Sequence, residues 1–360
     1  MDFSLTQDQR MMQESLTRTV AEASPLERVR RFASDLTDSG ADIWRALCEF
    51  GLPGIVVPEE HGGLGLGLLD AALAAEALGH AVAPTAFMEV VLASIALLRG
   101  GSPEQQAHWL PRLASGEATA AVALSELVAG ARDGAGVSAS QGVLSGKAFF
   151  VQGGMTADLL VVADTTGALH LVRGDAEGLS RTFMPGLDET RRLGELTFRA
   201  VAAEPLSGGP ALLDALRDAG WTLIAADTLG AAQAMLEKAV AYAKERRQFG
   251  RVIGSFQAVK HLCAEMAAEL EPCRSLIWYS AYAYDAAPGE ASLMAAHAKA
   301  LTCEVARFVA RTSTEVHGGM GVTDLLGLHY WFKRIGLNRQ LLGGPERVRE
   351  IAARLQGLAA

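Results

Sequence analysis

Apolar residues return at helical spacing through the first third of the chain. Thr6 stands just ahead of a run through Gln9, Met12 and Leu16, where its hydroxyl can cap a helix. Ile43-Trp44-Arg-Ala-Leu47 continues the pattern. Gly51 to Pro58 breaks it, and Glu59-Glu60-His61-Gly62-Gly63-Leu64-Gly65 reads as a glycine-rich loop. An Ala/Leu-rich helix is predicted from about Leu68 to Leu78, with further helices beyond Pro84 to about Leu113.

The pattern changes near Gly116. Apolar runs become short and are separated by Gly, Asp and Thr, as in Ala120 to Leu124, Ala148 to Val151, Leu159 to Ala163 and Leu169 to Val172. These are strand signals at hairpin spacing. Gly142 to Phe150, then Gly153-Gly154, reads as a strand, a turn and the entry to another strand. After Pro210 the helical pattern returns in three long stretches, Leu212 to Arg246, Val259 to Ala287 and Ser292 to His317. The implied fold class is α+β. An N-terminal helical domain (1–116) and a C-terminal helical bundle (209–360) flank a middle β-domain (117–208).

Composition narrows the function. Hydrophobic residues make up 50% and charged residues 20%, an ordinary globular balance. A formal net charge of −9 argues against nucleic acid, which selects a basic face. It leaves room for an anionic ligand held by a few Arg and helix N-termini. Cys48, Cys263, Cys273 and Cys303 form no CxxC pair, so free thiols, a cytoplasmic location and no metal are expected. No secretory leader and no membrane span are expected either.

Two C-terminal stretches carry the chemistry. Tyr242-Ala-Lys-Glu-Arg246-Arg-Gln248-Phe249-Gly250 continues into Ile253-Gly-Ser-Phe256-Gln257. About 70 residues later comes Glu315-Val-His317-Gly318-Gly319-Met-Gly321. Alone, the first would read as a solvated basic helix end and the second as a glycine-rich turn. Together and in this order they resemble the signature of the acyl-CoA dehydrogenase family. The helix–β–helix layout extends the resemblance over essentially the whole chain.

The resemblance implies an FAD-dependent flavoenzyme that desaturates an acyl-CoA thioester. It implies a C-terminal four-helix bundle, FAD bound between subunits of a dimer or tetramer, and an electron-transfer flavoprotein or other acceptor. In relatives, residues at the places of Arg246, Gln248 and Phe249 reach a neighbour's FAD. Glu315, Gly318 and Gly319 match a Gln-x-x-Gly-Gly motif with a similar role, although Glu315 cannot donate an amide hydrogen bond. The His-Gly-Gly variant is similar to the branch acting on bulky acyl-CoAs such as steroid side chains, so fatty-acid or steroid side-chain β-oxidation is implied. In the β-domain, Ser125 matches a hydroxyl that touches the flavin, with Ala131 where the family keeps a Ser. Phe149 matches a ring-stacking aromatic. Val151 stands where relatives offer a hydroxyl near flavin N5.

The family's catalytic base is missing. Its commoner position falls on Gly343, in Gln340-Leu-Leu-Gly-Gly-Pro345, and its rarer position on Gly220. The nearest carboxylates are Glu346 and Asp227. Asp227 lies two helical turns, about 10 Å, from Gly220, in apolar company where desolvation would raise its pKa. Its plainer reading is a carboxylate at a packed helix interface with a local partner. Groups that relatives direct to a neighbour's ADP half-site are mostly kept, and those used at their own flavin ring are eroded. Three readings stand open. The chain is a base-lacking subunit completing the FAD site of a homologous partner, a self-sufficient homo-oligomeric dehydrogenase or oxidase with a relocated base, or an FAD-free scaffold.

Overall fold

The computed structural model describes residues 4–130 and 132–359, with Ser125 described by its backbone only. Six helices come first: α1 (Gln7–Ala23), α2 (Leu26–Ser34), α3 (Ala41–Glu49), α4 (Leu68–His80), α5 (Phe87–Gly100) and α6 (Pro103–Ala114). Thr6 caps α1 as its sequence suggests. Its hydroxyl accepts from the Gln9 N–H at 3.1 Å, and the Gln9 side chain accepts from the Thr6 N–H at 3.1 Å.

The middle of the chain forms two four-stranded sheets. β1 (Ala120–Ala123), a one-turn helix α7 (Ser125–Val128), β2 (Gly136–Ser140), β3 (Val143–Gln152), β4 (Leu159–Ala163), β5 (Leu169–Arg173), β6 (Leu179–Met184), β7 (Leu193–Ala202) and β8 (Glu204–Pro205) follow in order. One sheet runs β1-β4-β5-β8 and the other β2-β3-β7-β6. β1 pairs parallel with β4, and the remaining pairs are antiparallel. The segment read as strand, turn and strand entry is instead the single strand β3, with Gly153-Gly154 turning after it. Its pairing with β7 slips between Ala148 and Val151, and Phe150 takes a φ of 55° there. Such a bulge inserts an extra residue and re-aims a side chain.

The rest is α8 (Gly209–Glu245), a short hairpin β9 (Arg247–Gln248) and β10 (Arg251–Val252), then α9 (Gln257–Ala286), α10 (Pro288–His317), α11 (Leu328–Gln340) and α12 (Pro345–Leu355). α8 is the central pillar. Every residue from Asp218 to Ala232 is buried, as expected of a helix apolar on all sides. α4 crosses it at backbone contact. A Cβ built on Gly79 would lie 1.9 Å from the Asp227 carbonyl oxygen, and one on Gly230 would lie 1.9 Å from that of Glu76. The small residues therefore set the depth at which α4 and α8 meet. Among the described residues no helix is long and apolar enough to cross a membrane.

This crossing yields a direct test. Gly230→Ala is expected to destabilise by at least the usual cost of overpacking, about 1–3 kcal/mol, because the obstructing atom is main chain and cannot rotate away. Urea unfolding measures it, and an unchanged midpoint would contradict the contact.

Candidate functional site

The two sequence motifs meet at one end of the helical bundle. α8 ends where the Arg246 N–H bonds the Tyr242 carbonyl at 2.8 Å. α10 ends at His317, whose ring centroid lies 4.7 Å from that of Tyr242 at an interplanar angle of 31°. His317 is buried, and its Nδ1 faces the Ser313 carbonyl at 2.7 Å, so Nδ1 carries the proton. Burial holds its pKa below the usual imidazole value. This ring contact sets the two helix ends side by side.

The side chains beyond it point outward. Arg246, Gln248, Glu315, Gly318 and Gly319 are exposed, and Phe249, with a φ of 51°, is 93% exposed. Among the described residues the Arg246 guanidinium has no ion-pair partner. A Cβ on Gly318 or Gly319 would meet nothing within 4 Å, so the backbone there is open to approach, with the Gly318 N–H itself bonded to the Glu315 carbonyl. A fork of cationic donors, an amide and open glycine backbone form a donor set suited to an anionic ligand. The chain holds these groups away from its own core.

A second site lies inside the molecule. Glu89 and Leu92 of α5, Phe150 and Gln152 of β3, Gly220 of α8 and Leu342 of the α11–α12 loop line a cavity of about 50 Å³. Of the β3 residues singled out from sequence, neither Phe149 nor Val151 lines it. The bulge turns Phe150 toward it instead. Phe149 is half-buried, its N–H bonded to the Glu126 carboxylate at 2.9 Å, and Val151 packs into the apolar cluster between the two sheets. The Ser125 side chain and Ala131 lie outside the described residues.

Of Gly220 and Gly343, where the resemblance places the family's base, the first meets the α11–α12 loop and the second lies in it. A Cβ on Gly220 would stand 2.6 Å from Leu342 Cδ1, so any longer residue there requires the Leu342 side chain to turn aside. Leu342 has a φ of 53°, and its carbonyl accepts from the Trp221 indole N–H at 2.7 Å. Gly343 has a φ of 100°, a conformation that opposes any side chain there. Lys299, wholly buried, donates to the Asn338 and Arg339 carbonyls and so caps α11 just before this loop.

The two candidate replacement bases are both engaged. Asp227 is 3% exposed and accepts at both oxygens. Arg191 reaches Oδ1 at 3.0 Å and Arg334 reaches Oδ2 at 3.1 Å, while the Asn338 amide donates to Oδ1 at 2.6 Å. Arg334 also pairs with Asp188 at 2.9 Å, and Arg191 donates to Gln152 Oε1 at 3.0 Å. The geometry corrects the picture of Asp227 as a base poised among apolar residues. It is the fixed centre of an ion-pair network, in keeping with the packed-carboxylate alternative. Glu346 is 71% exposed at the start of α12 and pairs with Arg339 at 2.7 Å. Its own backbone N–H and Arg339 hold its pKa below the usual glutamate value.

Sequence reasoning missed Glu89. It is 5% exposed, it lines the inner cavity, and no protein group partners its Oε2. In the network Asp188 and Asp227 balance Arg191 and Arg334, which leaves Glu89 without a counter-charge. Burial outweighs the attraction of Arg191 and pushes its carboxyl up to about 7. The available signal was a lone carboxylate in the apolar run Phe87-Met-Glu-Val-Val-Leu92.

Comparison with known proteins agrees with the geometry. A profile of the acyl-CoA dehydrogenase N-terminal domain matches residues 6–117, and one of the C-terminal domain matches residues 218–356. Acyl-CoA dehydrogenase IpdE2 of Mycobacterium tuberculosis is 32% identical over 353 residues, which cover 97% of this chain and 96% of that protein. The fold superposes on the ChsE4-ChsE5 complex from M. tuberculosis with a TM-score of 0.91 at 28% identity, covering 100% of both chains. It superposes on a variant of the Tcur3481-Tcur3483 steroid ACAD with a TM-score of 0.88 at 30% identity, covering 97% of this chain and 98% of that one.

Glu89 gives this site a stability signature. Its folded pKa of about 7 stands above its ordinary value of 4.5, so the native state binds the proton more tightly than the unfolded chain. Below about pH 4.5 the group contributes nothing, and its destabilising effect grows as pH rises through about 7. Glu89→Gln is therefore expected to match wild type near pH 4.5 and to exceed its stability by roughly 3 kcal/mol above pH 7. Thermal melts across that range measure the gap, and a constant difference would contradict the uncompensated carboxyl.

Proposed function

The chain belongs to the acyl-CoA dehydrogenase family, and from that premise we propose that it is a base-lacking subunit of an FAD-dependent enzyme. In this reading it completes the FAD site of a homologous partner chain. The observation that carries the proposal is the state of the two base positions. Gly343 sits in a backbone conformation hostile to a side chain, and Leu342 takes the space in front of Gly220. The nearby Asp227 and Glu346 are bound to arginines.

FAD is the redox group of this family. The donor set at the bundle end fits its ADP half. Arg246 would take the pyrophosphate through its planar fork, with Gln248 beside it and the open backbone at Gly319 approaching the same anionic groups. These residues face away from their own chain, which suits a cofactor held mainly by a neighbour. The bound flavin supplies the hydride acceptor. This chain's part is to orient and enclose it, while the α-proton passes to a carboxylate the partner keeps. The steroid ACAD among the solved relatives makes a bulky acyl-CoA the favoured substrate class.

Exposed apolar groups support assembly. Phe249, Val322 and Leu325 are 93%, 81% and 72% exposed near the two motifs, apolar groups that a partner chain would cover. One observation favours a second reading, a self-sufficient enzyme. Glu89 is an unpaired carboxylate in the same cavity as Gly220, and it would serve as the relocated base there.

Two outcomes are expected. The purified chain alone should oxidise acyl-CoA at least about 100-fold more slowly than when assembled with a homologue that retains its Glu, measured with a dye acceptor. Robust turnover by the single chain, abolished in Glu89→Gln, would establish the self-sufficient reading instead. Arg246→Ala should weaken FAD retention by the assembled complex by roughly 1.5–3 kcal/mol without loss of helix content. Unchanged FAD affinity would remove Arg246 from the cofactor site.

A further inference from the structure

The inner cavity shares Glu89 and Gln152 with a second, larger cavity of about 560 Å³. This outer space lies between the N-terminal helices and the sheets. Phe32, Leu36, Trp44, Met155 and Phe183 give it apolar and aromatic walls. It reaches solvent at Leu36, which is 63% exposed. Glu89 stands at the junction. A Cβ on Gly153, at the end of β3, would lie 3.8 Å from Glu89 Cγ. The inner cavity alone is too small for more than a short aliphatic segment. The outer one has room for an extended or bulky body.

We propose that the two cavities form one acyl-binding channel, and that Glu89 anchors a hydroxyl carried partway along an acyl group long enough to cross the junction. The inference rests on acyl-CoA as the substrate class of the proposed function and deepens it, but not on the partner-dependent reading of catalysis. Three observations converge on it. Glu89 is more than nine-tenths buried with a free oxygen, it faces both spaces, and the charged groups next to it, Asp188, Asp227, Arg191 and Arg334, are paired with one another. A buried carboxyl without a partner is costly, and a ligand group that satisfies it gains specificity against analogues lacking that group. A hydroxyl is the suited partner, because it donates to the ionised carboxylate and accepts from the protonated acid. With the carboxyl titrating near neutrality, both forms are present at physiological pH.

The test is binding, read by isothermal titration calorimetry on the assembled protein, so it is separate from turnover. The probes are palmitoyl-CoA and monohydroxy-palmitoyl-CoAs with the hydroxyl placed at successive chain carbons. Wild type is expected to favour the hydroxylated probe of matching position by about tenfold over palmitoyl-CoA. Glu89→Leu should erase the preference, whereas Glu89→Gln, which keeps hydrogen-bonding capacity and shape, should retain it. Met155→Trp, which narrows the outer cavity, should weaken every palmitoyl probe while leaving butyryl-CoA binding unchanged. Equal affinity of wild type for all palmitoyl probes, or a hydroxyl preference that survives Glu89→Leu, would overturn the anchor. Full binding of palmitoyl-CoA by Met155→Trp would overturn the channel.

Discussion

The Asp227 carboxylate, gripped by Arg191 and Arg334, is the contact on which the interior depends. It joins α8 to α11 and to the turn between β6 and β7, so helical pillar, closing helix and sheet meet at one buried charge. Arg334 extends the grip to Asp188 and Arg191 extends it to Gln152. Such a cluster is tolerated in a low-dielectric interior only if every member is satisfied, since a charge stripped of its partner costs several kcal/mol. That demand fixes where β3 ends against α8 and therefore where the inner cavity lies. The α4–α8 crossing reinforces it, because the glycine contact presses on the carbonyl of Asp227 itself.

The same charge arithmetic accounts for the cavity's chemistry. Two aspartates and two arginines close the network, and Glu89 is the remainder. A position that elsewhere would hold a catalytic base is glycine, and its room is taken by Leu342, itself tied to Trp221. The chain thus combines a rigid, polar-centred scaffold with a cavity whose uncompensated carboxylate is Glu89. The parts exposed to other molecules, Arg246, Gln248, Phe249 and the open glycines, sit at the far end of α8 and α10. One pillar therefore serves both the inner cavity and the displayed surface.

Much of this was legible in the sequence because it is local. The Thr6 cap, the long helical stretches and the two C-terminal motifs depend on spacing along one segment. Glycine at positions 220 and 343 could be read directly, but not that Leu342 fills the gap between helix and loop. The bulge that presents Phe150 rather than Phe149 arises from pairing with β7, a partner more than 40 residues away. Asp227 could be read as a base or as a packed ion because the sequence shows its apolar neighbours and hides Arg191 and Arg334. Glu89 escaped notice for the same reason: its lack of a partner is a property of the assembled core.

The central claim is that this chain supplies half of a flavin site and its partner supplies the other half. Counting flavin against protein in the purified assembly, by absorbance and amino-acid analysis, tests it most directly. The account predicts one FAD for each pair made of this chain and its homologue, and little flavin on this chain alone. One FAD for every copy of this chain, retained without the homologue, would contradict it.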